Sequence, residues 1–166
     1  MARALVDDGV TVAACTPHIT PGIYHNTGGA IIAAVEQLQS ALDDHAIPLF
    51  LVSGADNHMV PDFVGALRSG HLLPLHGSRY VLVEPPHRSA PPRLEEFFLD
   101  LIAHGYVPIL THPERLSWIQ DKYDLVGDLV NAGVWMQLTS GSLTGAFGSS
   151  AHLGRSGCSM KGWSTS

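Results

Sequence analysis

The chain has 166 residues, 45% of them hydrophobic and 14% charged, with a formal net charge of −6 when histidine is neutral. About 25% charged residues is usual for a globular domain, so this composition describes one folded domain with a sizeable core and argues against a disordered chain. Nine scattered Lys and Arg residues give no footprint for nucleic acid, no apolar stretch approaches the ~18–20 residues of a membrane span, and two cysteines make no disulfide framework.

Residues 1–8 reach two acids before any apolar core region, so they do not read as a signal peptide, and a reducing cytoplasm is the expected compartment. The same residues predict the end of a helix stopped by Gly9, followed by a strand over 10–16. A long helix is expected over 27–44, with Ile31, Ile32, Val35, Leu38 and Leu42 on its apolar face. A strand over 48–53 comes next, then a short helix over 61–68 with Pro61 in its first turn. The pattern continues with a strand over 80–84, a helix over 92–104, a strand over 107–111, a helix over 123–132 and a strand over 133–140. Most of the five strand runs are almost continuously apolar, as in a parallel sheet buried on both faces. Gly9, Gly105 and Gly133 each end a helix and lead directly into a strand, which is the step of a β/α fold. One α/β domain with about five parallel strands follows, as an open sheet or a barrel.

Ligands of such folds bind at the carboxyl ends of the strands. The first four predicted strands end in Thr16-Pro17-His18, Gly54-Ala55-Asp56, Glu84-Pro85-Pro86 and Thr111-His112-Pro113-Glu114-Arg115. His18, Asp56, Glu84 and His112 therefore fall about one β/α unit apart, and a parallel layout brings them to one rim. Any one of them alone is ordinary loop chemistry. Four in succession form the mixed N/O donor set that suits Zn, Mn or Fe. Arg115 follows His112 by three residues, so it can face the same rim and bind a phosphate through paired N–H donors; the alternative is a surface salt bridge with Glu114. Together these residues point to metal-assisted hydrolysis of a phosphate ester.

Ten histidines outnumber Lys plus Arg. His45, His71 and His104 lie near predicted helix ends and read as structural. His25, His58 and His87 follow the first three strands and could line the mouth of the site, but plain exposure is the expectation for each.

The motifs Thr16-Pro17-His18, Gly54-Ala55-Asp56, Ser78-Arg79-Tyr80-Val81-Leu82-Val83-Glu84 and Thr111-His112-Pro113-Glu114-Arg115 resemble the bacterial manganese-dependent protein-tyrosine phosphatases of capsule and exopolysaccharide clusters. Those belong to the polymerase and histidinol phosphatase (PHP) superfamily, whose fold is a distorted (β/α)7 barrel with a three-metal cluster. The resemblance runs from Met1 to about Gly148. It implies that His18, Glu84 and His112 are metal ligands and that Arg115 binds the substrate phosphate. Asp56 stands where many members have a bridging glutamate. It also implies Mn2+ or another divalent transition metal such as Zn2+ or Fe2+, and a phosphotyrosine protein as substrate, the expected partner being a bacterial tyrosine autokinase of polysaccharide export.

The family also opens with Asp-x-His-x-His and closes with Asp-x-His, and neither motif occurs in these 166 residues. The expectation is therefore a partial PHP barrel over residues 1–148, an incomplete cluster and little or no turnover by this chain alone. Residues 149–166 lose apolar periodicity. Back-translated with permitted codons from Leu153, they yield an amphipathic helix in another frame, so a frameshifted or disordered tail is expected there. Two other functions remain open on the sequence: a PHP-type phosphatase for a small phosphate ester, and a non-catalytic chain that keeps only the scaffold.

Overall fold

The computed structural model describes residues 1–139. The tail expected at 149–166 and the last residue of the strand predicted over 133–140 lie outside the described residues. Helix α1 (Ala2–Asp7) leads into strand β1 (Val12–Cys15), and β2 (His18–Ile19) follows after Thr16-Pro17. Helix α2 (Gly28–Asp44) connects to β3 (Phe50–Ser53) and β4 (Asp56–His58). Helix α3 (Phe63–Arg68), β5 (Tyr80–Glu84), α4 (Leu94–Ala103), β6 (Val107–Thr111), α5 (Tyr123–Ala132) and β7 (Trp135–Gln137) complete the described order.

Every strand pair is parallel, in the order β1-β3 for one sheet and β2-β4-β5-β6-β7 for the other. The α/β expectation thus holds: among the described residues each of the five predicted runs contains a strand, and the short strands β2 and β4 add to them. The predicted strands over 10–16 and 48–53 are the first halves of two bent segments. Pro17 has no N–H to donate, and Gly54-Ala55 lies opposite it. Two hydrogen bonds, from Gly54 N to Cys15 O (3.1 Å) and from Asp56 N to Pro17 O (3.2 Å), carry the pairing across the bend. It resumes with His18 opposite Asp56.

The middle of the larger sheet is the core. Val81, Val83 and Leu110 are fully buried in β5 and β6, and Phe98 and Leu101 of α4 cover them from one side. The edge strands β1 and β7 alternate with exposed residues instead of being buried on both faces. On α2, Ile31, Val35 and Leu42 are buried, whereas Ile32 and Leu38 face outward; the apolar stripe is narrower than expected. Thr27 caps this helix by accepting from Ala30 N at 3.3 Å, a contact that contributes about 1 kcal/mol. Helix α3 begins at Phe63, two residues later than expected, because the Asp62 carboxylate caps it by accepting from Gly65 N at 3.1 Å. Helix α5 ends where Gly133 adopts φ 106°, a conformation open to glycine at little cost.

Asn57 is the polar pin of this core. It is fully buried in β4. Its amide nitrogen lies 2.9–3.0 Å from the carbonyls of Ala55, Leu73 and Leu82, and its oxygen accepts from Leu73 N at 3.1 Å. One side chain thus joins β4 to β5 and to the loop after α3. Asn57→Ala strands these groups away from water, and we expect it to cost about 2 kcal/mol in chemical denaturation. A change below about 0.5 kcal/mol would contradict that role.

Candidate metal centre

His18 and Asp56 follow the ends of β1 and β3, as the sequence suggested. They open β2 and β4 and are register partners across that pair. Glu84 is the last residue of β5, opposite His58 of β4. His112 directly follows β6 and sits at φ 50°, ψ 45° in the left-handed region, immediately before Pro113. That conformation costs on the order of 1–3 kcal/mol and concentrates at functional sites. It lets the backbone leave the sheet while the imidazole turns back over the rim.

The side chains converge. His18 Nδ1 lies 3.5 Å from Asp56 Oδ2 and 3.2 Å from Glu84 Oε2, and His112 Nε2 lies 3.4 Å from Asp56 Oδ2. His18, Asp56 and Glu84 offer ligand atoms that all lie within 4.8 Å of one another. Among the described residues, His18 Nδ1 is buried but finds no hydrogen-bond partner, despite two carboxylate oxygens nearby. Two buried carboxylates and an unsatisfied imidazole nitrogen pointing into one small volume fit a divalent cation better than they fit each other.

Contacts around this centre set the orientation of its groups. The Thr111 hydroxyl, fully buried at the end of β6, donates to Asp56 Oδ1 at 2.9 Å, with Val83 O also near at 3.2 Å. Asp56 Oδ2 is thereby left toward His18 and His112. Burial pushes the Asp56 carboxyl above its ordinary range; the Thr111 hydrogen bond opposes that rise, the Glu84 charge adds to it, and His18 and His112 pull it down. The ring of His112 is held from behind, its Nδ1 3.0 Å from Thr139 Oγ1.

Four expected site residues, His18, Asp56, Glu84 and His112, therefore meet on one rim. Arg115 belongs to the 3-10 turn Pro113–Arg115, pinned by its N–H to His112 O at 2.8 Å. It is exposed and forms no ion pair among the described residues. The surface salt bridge with Glu114 is not made. Glu114 turns inward, where its Oε1 accepts from Thr139 N at 3.2 Å.

Sequence reasoning missed two imidazoles. His87 and His58 were expected to be merely exposed, but His87 Nε2 lies 3.0 Å from Glu84 Oε1 and His58 Nδ1 lies 3.9 Å from Glu84 Oε2. His25, by contrast, is exposed as expected. His45 and His104 each place Nδ1 within 2.9 Å of a carbonyl one turn back, the structural role read for them.

Comparison with known proteins bears on this rim. The tyrosine-protein phosphatase YwqE of Bacillus subtilis (strain 168) is 37% identical over 148 residues, covering 89% of this chain and 58% of that protein. CapC of Staphylococcus aureus is 29% identical over 141 residues, covering 85% of this chain and 55% of that protein. A solved structure from the set of YwqE of Bacillus subtilis and CpsB of Streptococcus pneumoniae, described as metal-dependent tyrosine phosphatases, matches with a TM-score of 0.85 at 35% identity. That match covers 93% of this chain and 63% of the other. The chain thus spans less than two thirds of the length of the relatives it matches. The family model described as capsular polysaccharide synthesis, CpsB/CapC, matches residues 1–155. With nearly its whole length inside that model and its sheets following the solved relative, the chain belongs to the CpsB/CapC family of capsular polysaccharide synthesis.

Proposed function

We propose that these residues form the metal- and phosphate-binding rim of a protein-tyrosine phosphatase acting in capsule or exopolysaccharide synthesis. One observation carries this reading: the convergence of His18, Asp56 and Glu84 within 4.8 Å, in a chain similar to metal-dependent tyrosine phosphatases. His18, Asp56, Glu84 and His112 would hold the cation, and the mixed imidazole and carboxylate set suits Mn2+, Zn2+ or Fe2+, the family resemblance putting Mn2+ first. When bound, such an ion supplies Lewis-acid polarisation of a phosphoryl oxygen and an activated water.

The chain's own residues do the rest. Thr111 keeps one Asp56 oxygen occupied, so the other is presented inward. Thr139 engages Nδ1 of His112, so Nε2 faces the centre. Arg115, exposed and without an ion-pair partner among the described residues, can turn its fork of N–H donors to the phosphoryl oxygens and stabilise charge that grows there during transfer. The substrate would be phosphotyrosine on a protein, the expected one being an autophosphorylating tyrosine kinase of polysaccharide export, met in the cytoplasm. Among the described residues no helix is long and apolar enough to cross a membrane.

The test is a chimera that completes this chain with the segments of YwqE that it does not span. It is expected to release phosphate from a phosphotyrosine peptide with Mn2+ and to stop on chelation. Arg115→Ala in that chimera should lower kcat/KM roughly 100-fold. Unchanged turnover in the variant, or activity indifferent to chelation, would overturn the assignment.

A further inference from the structure

Glu84 accepts from a residue outside the four expected ligands. Its Oε1 lies 3.0 Å from His87 Nε2, and its Oε2 lies 3.2 Å from His18 Nδ1. The two oxygens of one buried carboxylate are thus divided, one toward the cation rim and one toward His87. His87 itself is anchored by its backbone. Its carbonyl accepts from Ser117 N at 2.9 Å and from Ser117 Oγ at 3.0 Å. One residue earlier, Pro86 O accepts the indole N–H of buried Trp118 at 2.8 Å. Ser117 and Trp118 belong to the same loop as His112 and Arg115. The loop after β5 and the loop after β6 are therefore fastened together, and His87 is the side chain that this junction aims at Glu84.

Resting on the metal reading above, we propose that His87 is a positioning residue. Its Nε2–H holds Glu84 Oε1, fixes the carboxylate plane and leaves Oε2 directed at the cation. A carboxylate ligand held by an outer hydrogen bond is pre-organised, and loss of such a contact typically weakens metal binding 10- to 100-fold. The contact needs a donor at the position of Nε2, not a charge. Glutamine can place its amide N–H there, whereas alanine cannot.

Two measurements on the 166-residue chain test this. In the metal-free protein, nitrogen-15 spectra of the imidazoles should show His87 as the Nε2–H tautomer, with slow proton exchange that is lost in Glu84→Ala. Titration with MnCl2 should show affinity falling about 10- to 100-fold in His87→Ala and returning to within about threefold of wild type in His87→Gln. His71→Ala, removing an imidazole whose Nδ1 bonds Ser69 Oγ and not a residue of the centre, should bind as wild type does. The proposal is overturned if His87 is the Nδ1–H tautomer, if His87→Ala binds Mn2+ as tightly as wild type, or if His87→Gln is no better than alanine. A wild-type chain that binds no Mn2+ sinks the metal reading instead, and the tautomer spectrum then decides the His87 contact by itself.

Discussion

Phe98→Ala is expected to destabilise the fold by about 3–5 kcal/mol, the usual cost of emptying a buried phenylalanine site. Phe98 is fully buried on α4, on the same stripe as buried Leu94 and Leu101, and α4 packs against β6. Its ring meets Phe97 edge-on at 5.5 Å, and Phe97 in turn meets Phe63 edge-on at 5.3 Å, so the ring is one end of a chain linking α4 to α3. The surrounding elements are fixed by the sheet and cannot collapse to fill the space. A domain holds only about 5–15 kcal/mol in total, so the melting temperature should drop by about 6–20 degrees. Neighbouring Leu99 is exposed, and Leu99→Ala should stay within about 0.5 kcal/mol. Because α4 backs the strands that end at Glu84 and Thr111, the site should loosen together with the core. A melting temperature within two degrees of wild type for Phe98→Ala would show that α4 does not carry this load.

The elements legible in the sequence are those whose local pattern and burial agree. Strands β5 and β6 are apolar runs bounded by polar residues, and both occupy their predicted limits, Tyr80–Glu84 and Val107–Thr111. Helix α5 does likewise, because Gly133 is a stop that acts through local backbone chemistry alone. Strands β2 and β4 escaped detection because they are too short for periodicity and consist of His-Ile and Asp-Asn-His. Only pairing with a neighbour makes them strands, and their polar side chains are tolerated because they meet one another at the site. The same limit applies to the site residues. His18, Asp56, Glu84 and His112 were recoverable from their spacing of one β/α unit. His58 was recoverable only from register, since it lies opposite Glu84. His87 could have been noticed as a donor three residues after a buried glutamate, but its direction depends on Ser117 and Trp118, about thirty residues away. Thr111 looks like any strand-ending threonine until Asp56 is brought beside it from fifty-five residues earlier.

Asp56→Asn should make the metal-free chain more stable while removing its response to Mn2+. The Asp56 carboxyl is raised above its ordinary value, first by burial and then by the Glu84 charge, against the Thr111 hydrogen bond and the smaller pull of His18 and His112. A group whose folded pKa is raised contributes its stability below the unfolded value, near 3.8, and loses it as pH rises through the folded value. At neutral pH the native state therefore carries the cost of an ionised, buried Asp56. Asparagine removes that charge, still accepts the Thr111 hydroxyl through its oxygen, and can donate its amide toward the imidazole nitrogens that now face Oδ2. We expect a gain on the order of 1 kcal/mol near pH 7.5, shrinking as pH falls and gone below 3.8, where the aspartate becomes neutral in the unfolded chain as well. With Mn2+ at a hundred times its dissociation constant, wild type should gain about 2.7 kcal/mol. The variant, deprived of the one carboxylate that both His18 and His112 face, should gain nothing, so the order of the two melting temperatures reverses when the metal is added. An Asp56→Asn chain that is less stable than wild type without metal would mean that attraction to the histidines outweighs burial; one that still gains stability from Mn2+ would place the cation elsewhere on the rim.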